Sequence, residues 1–208
     1  MSDIQAIMPI LIVTLSAAAT MLAEAFRQPG ERMPIGGLGL IGLVGSLVAS
    51  VLLWDRRLSG FGVVRADNFA LFFFILAAIV GILTILLSTD VAERDELPQG
   101  EYYALTLFAV IGMMLMAAAT DLLVLFLALE VMSIAVYILT GIRRTDPAAV
   151  EASFKYFLLG AFSSAFFLYG IAMAYVLVGS TRLDQVGMAI ASQVVGPRIT
   201  GTGSASIR

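Results

Sequence analysis

Six strongly apolar and almost uncharged stretches divide this chain, and each is long enough to cross a lipid bilayer as an α-helix. Crossing the ~30 Å hydrocarbon core takes about 20 helical residues. Lipid offers no hydrogen-bond partner to an exposed backbone, so continuous apolar runs of this length favour membrane-spanning helices. The predicted spans cover residues 4–25, 35–54, 69–87, 102–119, 122–140 and 154–178.

Composition supports an all-α membrane fold. Of the 208 residues, 60% are hydrophobic and only 13% are charged, whereas soluble domains are nearer half apolar and a quarter charged. A core this small cannot hide the excess apolar surface, so lipid must cover much of it. The net charge of -3 is too small to indicate a nucleic-acid partner.

Two residue types are missing from the chain, and their absence restricts its chemistry. There is no histidine and no cysteine. Haem, iron–sulfur and zinc sites take most of their ligands from these two residues. We therefore expect no metal and no redox cofactor in this chain itself.

The chain divides into a transmembrane helical region, residues 1–192, and a polar tail, residues 193–208. The tail is rich in glycine, serine and threonine and has no apolar period, which predicts disorder. Arginines are almost evenly distributed between alternate loops, so the positive-inside rule only slightly favours an N-terminus outside the cell.

A glycine pattern, Gly37-Leu-Gly39-Leu-Ile-Gly42, matches the dinucleotide-binding motif GxGxxG. That motif requires a strand before it and a helix after it, but here it lies within an apolar run. Small residues also let membrane helices approach closely. We therefore interpret the pattern as a helix-packing surface.

Glu130 is the one charged residue near the middle of a predicted span. A charged carboxylate at that depth costs at least ~2.5–3.5 kcal/mol on insertion scales, so such residues are rare and usually functional. Ser133 and Tyr137 follow at helical spacing, and together the three form a polar stripe. We predict proton transfer by Glu130 with support from Ser133 and Tyr137. The alternative is a protonated carboxyl group whose hydrogen bond to a neighbouring helix only holds the two helices together.

Lys155 is the only lysine in the chain. Arginine does not release its proton in proteins, but a buried lysine can. On the assumption of antiparallel spans, Lys155 and Glu130 differ in depth by ~9 Å, which one or two waters would bridge. This predicts a second proton-transfer residue. The alternative is a lysine that extends to the lipid headgroups or pairs with Glu151.

Two of these spans carry recognisable motifs. The stretch 121–139, DLLVLFLALEVMSIAVYIL, resembles the fifth span of the proton-translocating, antiporter-like subunits of respiratory complex I. The stretch 151–170, EASFKYFLLGAFSSAFFLYG, is similar to the following span of the subunit N family in particular. The resemblance covers about residues 1–192.

The resemblance implies that the chain is the N-terminal part of a longer antiporter-like fold with inverted repeats. Glu130 would be the membrane carboxylate of the first half-channel, and Lys155 matches a family lysine. NADH, flavin, iron–sulfur clusters and quinone would be bound elsewhere in the wider complex. Other membrane subunits and the lipid bilayer would be the partners, in a bacterial inner membrane with the N-terminus outside.

The sequence departs from that family after the sixth span, where the family continues into a broken helix with a buried lysine. Residues 193–208 do not match this helix, and we expect them to lie outside the family frame, as in a truncated or frame-shifted chain. Two alternatives remain open. One is a subunit of a multi-subunit cation/proton antiporter, and the other is an inert truncated remnant. Neighbouring genes would distinguish a complex I subunit from an antiporter subunit. Genes for NADH- and quinone-binding subunits would favour complex I, and genes for small antiporter subunits would favour the antiporter.

Overall fold

The computed structural model describes residues 2–26, 35–56, 58–95 and 97–199, and helices dominate these ranges. The first six helices in them are long and apolar enough to cross a membrane. This confirms the predicted all-α membrane fold. The helices are α1 (Ser2–Ala25), α2 (Ile35–Leu52), α3 (Asn68–Arg94), α4 (Gln99–Ala118), α5 (Leu122–Thr140), α6 (Pro147–Val178) and α7 (Leu183–Ile199), and the strands are β1 (Leu58–Gly60) and β2 (Val64–Ala66).

Two helices extend well beyond the spans predicted from hydropathy. Helix α3 continues to Arg94 rather than ending at residue 87, and α6 begins at Pro147 rather than at residue 154. Asp146 starts α6, because its carboxylate accepts a hydrogen bond of 2.9 Å from the backbone N–H of Ala148. Aspartate at the N-cap and proline at the first position are a strong initiation signal. Hydropathy identifies only the part of a helix that lies in lipid. The helix itself can continue into water, because its backbone hydrogen bonds do not require an apolar surrounding.

Two further elements were not predicted from the sequence. Strands β1 and β2 form a short antiparallel hairpin in the link between α2 and α3. Helix α7 continues to Ile199, which differs from the disorder expected from residue 193 onward. Residues 193–195 read Gln-Val-Val and still suit a helix, and the dense glycine and serine pattern begins only after Thr200. The remaining expected tail, 200–208, lies outside the described residues.

Helix α4 is the centre of the bundle, and α6 lies at its edge. Helix α4 packs against α1, α3 and α5, whereas α6 packs mainly against α5. In the most apolar stretch of each helix, 56% of α4 but only 6% of α6 is buried within the chain. The core is therefore built from α1 to α4, and α5 connects it to α6.

The glycine pattern of α2 is part of this core. It lies inside one continuous helix, so the strand and turn of a dinucleotide site are not formed. A Cβ atom added at Gly42 would lie 2.2 Å from the side chain of Ser16 on α1. The packing interpretation of the motif is confirmed, because only glycine allows α1 and α2 to approach this closely.

The hairpin end of the bundle joins three segments through backbone hydrogen bonds. The N–H of Thr120, in the turn between α4 and α5, donates to the carbonyl of Val63 at 2.9 Å. The carbonyl of Thr120 accepts from the N–H of Leu183 at 3.0 Å. Asp3, near the start of α1, also lies at this end, packed against Gly60. The hairpin, the α4–α5 turn, the α6–α7 link and the start of α1 therefore share one end.

Two ion pairs lie at the opposite end, which we call the arginine end. Arg143 pairs with Asp95, and Arg144 pairs with Glu101 at 2.5 Å. They connect the link between α5 and α6 to Asp95, just after α3, and to Glu101, in the first turn of α4. Loops that the predicted topology assigns to one side thus lie together.

Candidate functional site

The predicted site residue Glu130 faces helix α6 and is hydrogen-bonded to it. Its side chain is half-buried, and the hydroxyl of Ser164 donates to its Oε1 atom at 2.5 Å. A hydrogen bond to a carboxylate is shorter and stronger than one between neutral groups. Glu130 is therefore held between two membrane-spanning helices rather than exposed to lipid on its own.

Tyr137 lies two turns further along α5 and packs against the same helix. Its side chain is buried, with 8% exposed. A Cβ atom added at Gly160 would lie only 1.8 Å from the Tyr137 hydroxyl oxygen, so the hydroxyl lies directly against the α6 backbone. The ring meets Tyr156 and Phe157 edge-on, with centroid separations of 4.8 and 5.9 Å. These contacts fix the ring and hold the hydroxyl in place.

The contacts between α5 and α6 have a regular antiparallel register, which we call the α5–α6 seam. It pairs Glu130 with Ser164, Tyr137 with Gly160, and Gly141 with Ser153. The Ser153 hydroxyl also donates to the carbonyl of Tyr137 at 2.7 Å. From Glu130 to Gly141 the residue number on α5 rises by 11, and over the same length the number of the partner on α6 falls by 11, from Ser164 to Ser153. The register therefore depends on small α6 residues, which recur every seven or four positions.

Ser133 lies between Glu130 and Tyr137 on α5 and is half-buried. Its hydroxyl makes no hydrogen bond to any side chain or backbone group in the part of the chain that the structure describes. Of the three residues in the predicted polar stripe, Glu130 and Tyr137 therefore make the contacts with α6.

Lys155 does not meet Glu130 in this structure. It pairs with Glu151 one turn earlier, and both side chains are well exposed, at 72% and 65%. Lys155 precedes Ser164 by nine residues on α6, which is ~13.5 Å along the axis and about 180° around it. Because Ser164 marks the level and direction of Glu130, Lys155 faces away from α5. The pairing through one or two waters that we expected is therefore not formed within this chain.

The depth given to Lys155 explains part of this difference. The estimate of ~9 Å placed Lys155 ~6 Å and Glu130 ~15 Å from the same membrane edge. The seam separates their levels by ~13.5 Å, so the estimate placed Lys155 too deep. Depth alone also says nothing about the face on which a residue lies, and that face is set by the seam.

Ser164 is the site residue that sequence reasoning missed. One signal was available, because Ser164 follows Gly160 by four residues and therefore shares its helix face. A hydroxyl on the same face as a packing glycine was a candidate partner for a carboxylate on the neighbouring helix.

The charged groups at the hairpin end have structural partners. Asp121 is 9% exposed, caps α5 through the N–H of Leu123 at 2.8 Å, and accepts a hydrogen bond from Thr181 at 2.7 Å. The hydrogen bond from Arg182 holds the pKa of the Asp184 carboxyl below its usual range. These carboxylates therefore act in capping and pairing at the bundle end, and Glu130 remains the carboxylate of the membrane interior.

A bundle of membrane-spanning helices with a hydrogen-bonded carboxylate in mid-membrane is typical of membrane proteins that transfer protons or ions, and comparison with known proteins indicates an antiporter-like membrane subunit. Residues 119–204 match the family model described as NADH:quinone oxidoreductase/Mrp antiporter, TM. This region contains α5, α6 and α7 with Glu130, Lys155 and Ser164. The match also extends to residue 204, through most of the segment that we expected to lie outside the family frame.

Curated relatives agree over nearly the whole chain. NADH-quinone oxidoreductase subunit N of Trichlorobacter lovleyi is 42% identical over 195 residues, which is 93% of this chain and 40% of that protein. Subunit N of Chloroflexus aggregans is 41% identical with the same coverage. Over 93% of its own length the chain is thus similar to subunit N of NADH-quinone oxidoreductase, and its residues 119–204 match the NADH:quinone oxidoreductase/Mrp antiporter family. It spans about two fifths of the length of these relatives.

Solved structures show the same fold. A chain of respiratory complex I from Thermus thermophilus superposes with a TM-score of 0.72 at 30% identity, and the match covers 90% of this chain and 42% of that one. A chain of an archaeal membrane-bound sulfane sulfur reductase gives a TM-score of 0.75 at 23% identity, with coverage of 88% and 39%. The second likeness concerns the fold alone.

Proposed function

We propose that this chain is a membrane subunit of a proton-translocating NADH-quinone oxidoreductase and that it contributes part of a proton channel coupled to quinone reduction. Glu130 is the proton-exchanging group. The observation that carries this proposal is the position of Glu130 in the middle of α5, half-buried and hydrogen-bonded to Ser164 on α6, inside the region that matches the family.

Glu130 suits proton exchange because of where its carboxyl group lies. Its carboxylate oxygens accept hydrogen bonds, and once protonated the group can also donate one. Half-burial leaves part of the side chain accessible to water or to another helix. Tyr137 supplies a second hydroxyl along the same seam, against Gly160, and Ser133 supplies a third on α5. A proton that reaches Glu130 neutralises the carboxylate, and its release restores the charge.

The remaining assignments belong to the same proposal. The names of the relatives indicate an NADH-quinone oxidoreductase, and NADH and quinone, with the flavin and iron–sulfur clusters expected from the family resemblance, would be bound by other subunits. This chain would then perform no redox step itself. Other membrane subunits of the complex and lipid would be its partners. We place the chain in a bacterial inner membrane with the hairpin end, and hence the N-terminus, outside.

Lys155 keeps a proposed role in proton exchange, but with a different partner. It lies on the face of α6 opposite to Glu130, next to Glu151. Its proton would therefore pass to groups beyond this chain rather than to Glu130 directly. That proposal uses the same property as before, which is that lysine can become neutral and arginine cannot.

Glu130→Gln tests the function directly. Glutamine has nearly the same shape and still hydrogen-bonds, but it cannot take up and release a proton. We expect the variant, made in the chromosomal gene, to assemble normally and to translocate fewer protons per NADH oxidised. Inverted membrane vesicles supplied with NADH give both quantities, from a pH-sensitive dye and from NADH absorbance.

Glu93→Gln is the matched control. It makes the same chemical change on an exposed residue near the end of α3 and should leave the ratio of protons to NADH unchanged. An unchanged ratio in Glu130→Gln would remove Glu130 from the proton pathway. Unchanged NADH oxidation and proton uptake after deletion of the whole gene would identify the chain as an inert remnant.

A further inference from the structure

We propose that Ser164 is a positioning residue for Glu130, which holds the carboxyl group against α6 in both of its protonation states. The functional importance of this role rests on the proposed proton exchange by Glu130. The hydrogen bond itself does not, because it is a property of the packed α5–α6 seam.

The chemistry of a serine hydroxyl suits this role. A hydroxyl group can donate one hydrogen bond and accept others. Ser164 donates to Glu130 when the carboxylate is ionised. When Glu130 has taken up a proton on its other oxygen, the hydroxyl continues to donate to the carboxyl C=O oxygen. The proton is bound by Glu130 throughout, and Ser164 keeps its own proton, so Ser164 orients the group without carrying the charge.

The seam places this hydroxyl by contacts on both sides of it. Towards the arginine end, Tyr137 packs against Gly160, one helical turn from Ser164. Towards the hairpin end, the rings of Phe126 and Phe167 meet with a centroid separation of 6.1 Å. Because aromatic contacts fix the register above and below, the Ser164 hydroxyl cannot slide away from the level of Glu130. A positioning group needs a fixed support of this kind.

The neighbouring Ser163 provides a natural comparison. Its hydroxyl donates to the carbonyl of Leu159 within α6 at 3.0 Å, and its side chain is exposed. One residue along a helix corresponds to a rotation of about 100°, so Ser163 points away from the position that contacts Glu130. The two serines have the same side chain and lie at almost the same depth, but only Ser164 reaches the Glu130 carboxyl group.

Infrared spectroscopy of the purified chain in lipid tests the proposal without any assay of proton pumping. At a pH low enough to protonate Glu130, its carboxyl C=O stretch is identified as the band that disappears in Glu130→Gln. We expect Ser164→Ala to shift this band to higher wavenumber, because the C=O group loses a hydrogen bond. Ser163→Ala should leave the band in place. Ser164→Thr should also keep the band at its wild-type position, since threonine retains the hydroxyl group.

The possible results have distinct meanings. A Glu130 band at the same position in Ser164→Ala and in the wild type, with equal helical circular dichroism, would overturn the proposal, as would an equal shift in Ser163→Ala. If Ser164→Ala does not fold, Ser164→Thr and Ser164→Cys decide, and a shift in the cysteine variant alone is expected because its thiol is a weak donor. Normal pumping by Glu130→Gln would refute the proposed function and leave the infrared result unaffected.

Discussion

Replacement of Gly160 by alanine tests the α5–α6 seam, on which the whole candidate site depends. The new Cβ atom would lie 1.8 Å from the hydroxyl oxygen of Tyr137 and 2.4 Å from its Cζ atom. Unbonded atoms do not approach a Cβ within 3.0 Å, so the hydroxyl end of the ring must withdraw by about 1.2 Å (3.0 less 1.8 Å). Tyr156 and Phe157 pack edge-on against that ring, which is only 8% exposed. It cannot withdraw without disturbing them.

Replacement of Gly170 by alanine is a matched reference for the loss of stability expected from Gly160→Ala. Gly170 lies in the same helix, and a Cβ atom added there meets nothing within 4 Å. Both substitutions gain the ~0.5–1 kcal/mol by which alanine favours a helix over glycine, so this gain cancels between them. What remains is the cost of overpacking, which is typically ~1–3 kcal/mol. We expect Gly160→Ala to have a free energy of unfolding lower than that of Gly170→Ala by this amount.

The free energy of unfolding is measured by titration with SDS in mixed micelles, with helical circular dichroism as the signal. A second comparison isolates the contact itself. In a Tyr137→Ala background the obstructing ring is gone, so Gly160→Ala should become neutral or stabilising. Equal stability of Gly160→Ala and Gly170→Ala, within ~0.5 kcal/mol, would refute the register of the seam and with it the placement of Ser164 opposite Glu130.

Two further predictions concern Lys155 and the orientation of the chain. We expect Lys155→Arg to assemble normally but to lower the number of protons translocated per NADH, since arginine holds its proton permanently; normal translocation would show that Lys155 is only an anchor. The chain contains no cysteine, so single cysteines can be labelled selectively. In intact cells an impermeant thiol reagent should label Ser59→Cys, in the hairpin, but not Thr145→Cys, in the α5–α6 link, and the reverse pattern would invert the proposed orientation.

The sequence predicts the six spans well because each depends on the hydropathy of one continuous stretch. Span 122–140 coincides with α5 from end to end. The hairpin was missed for the opposite reason. Its strands have three residues each, and β2 is supported by a distant segment, through the pairing of Val64 with Ala119. Contacts between residues far apart in sequence leave no periodic signal in either segment.

The candidate site was predictable only in part. Glu130 was found because a charged carboxylate in the middle of a span has a high free-energy cost, and this cost can be recognised without knowing which helices surround it. Ser164 and the orientation of Lys155 depend instead on how α5 and α6 are rotated and shifted against each other. Gly160 sets that arrangement by admitting the Tyr137 hydroxyl. The sequence of a single helix predicts which of its residues share a face, but it does not predict which residues of the neighbouring helix they contact.

Energetics restrict what each interpretation of Glu130 requires. An interhelical hydrogen bond inside a membrane contributes ~0.6 kcal/mol on average and at most ~1.7 kcal/mol. Placing a charged carboxylate in mid-span costs at least ~2.5–3.5 kcal/mol. The bond from Ser164 therefore does not offset the cost of the ionised form, so a carboxyl group that only joined the two helices would have to stay protonated. Proton exchange instead requires Glu130 to alternate between a neutral and a charged form, and glutamine removes this alternation while keeping the ability to hydrogen-bond.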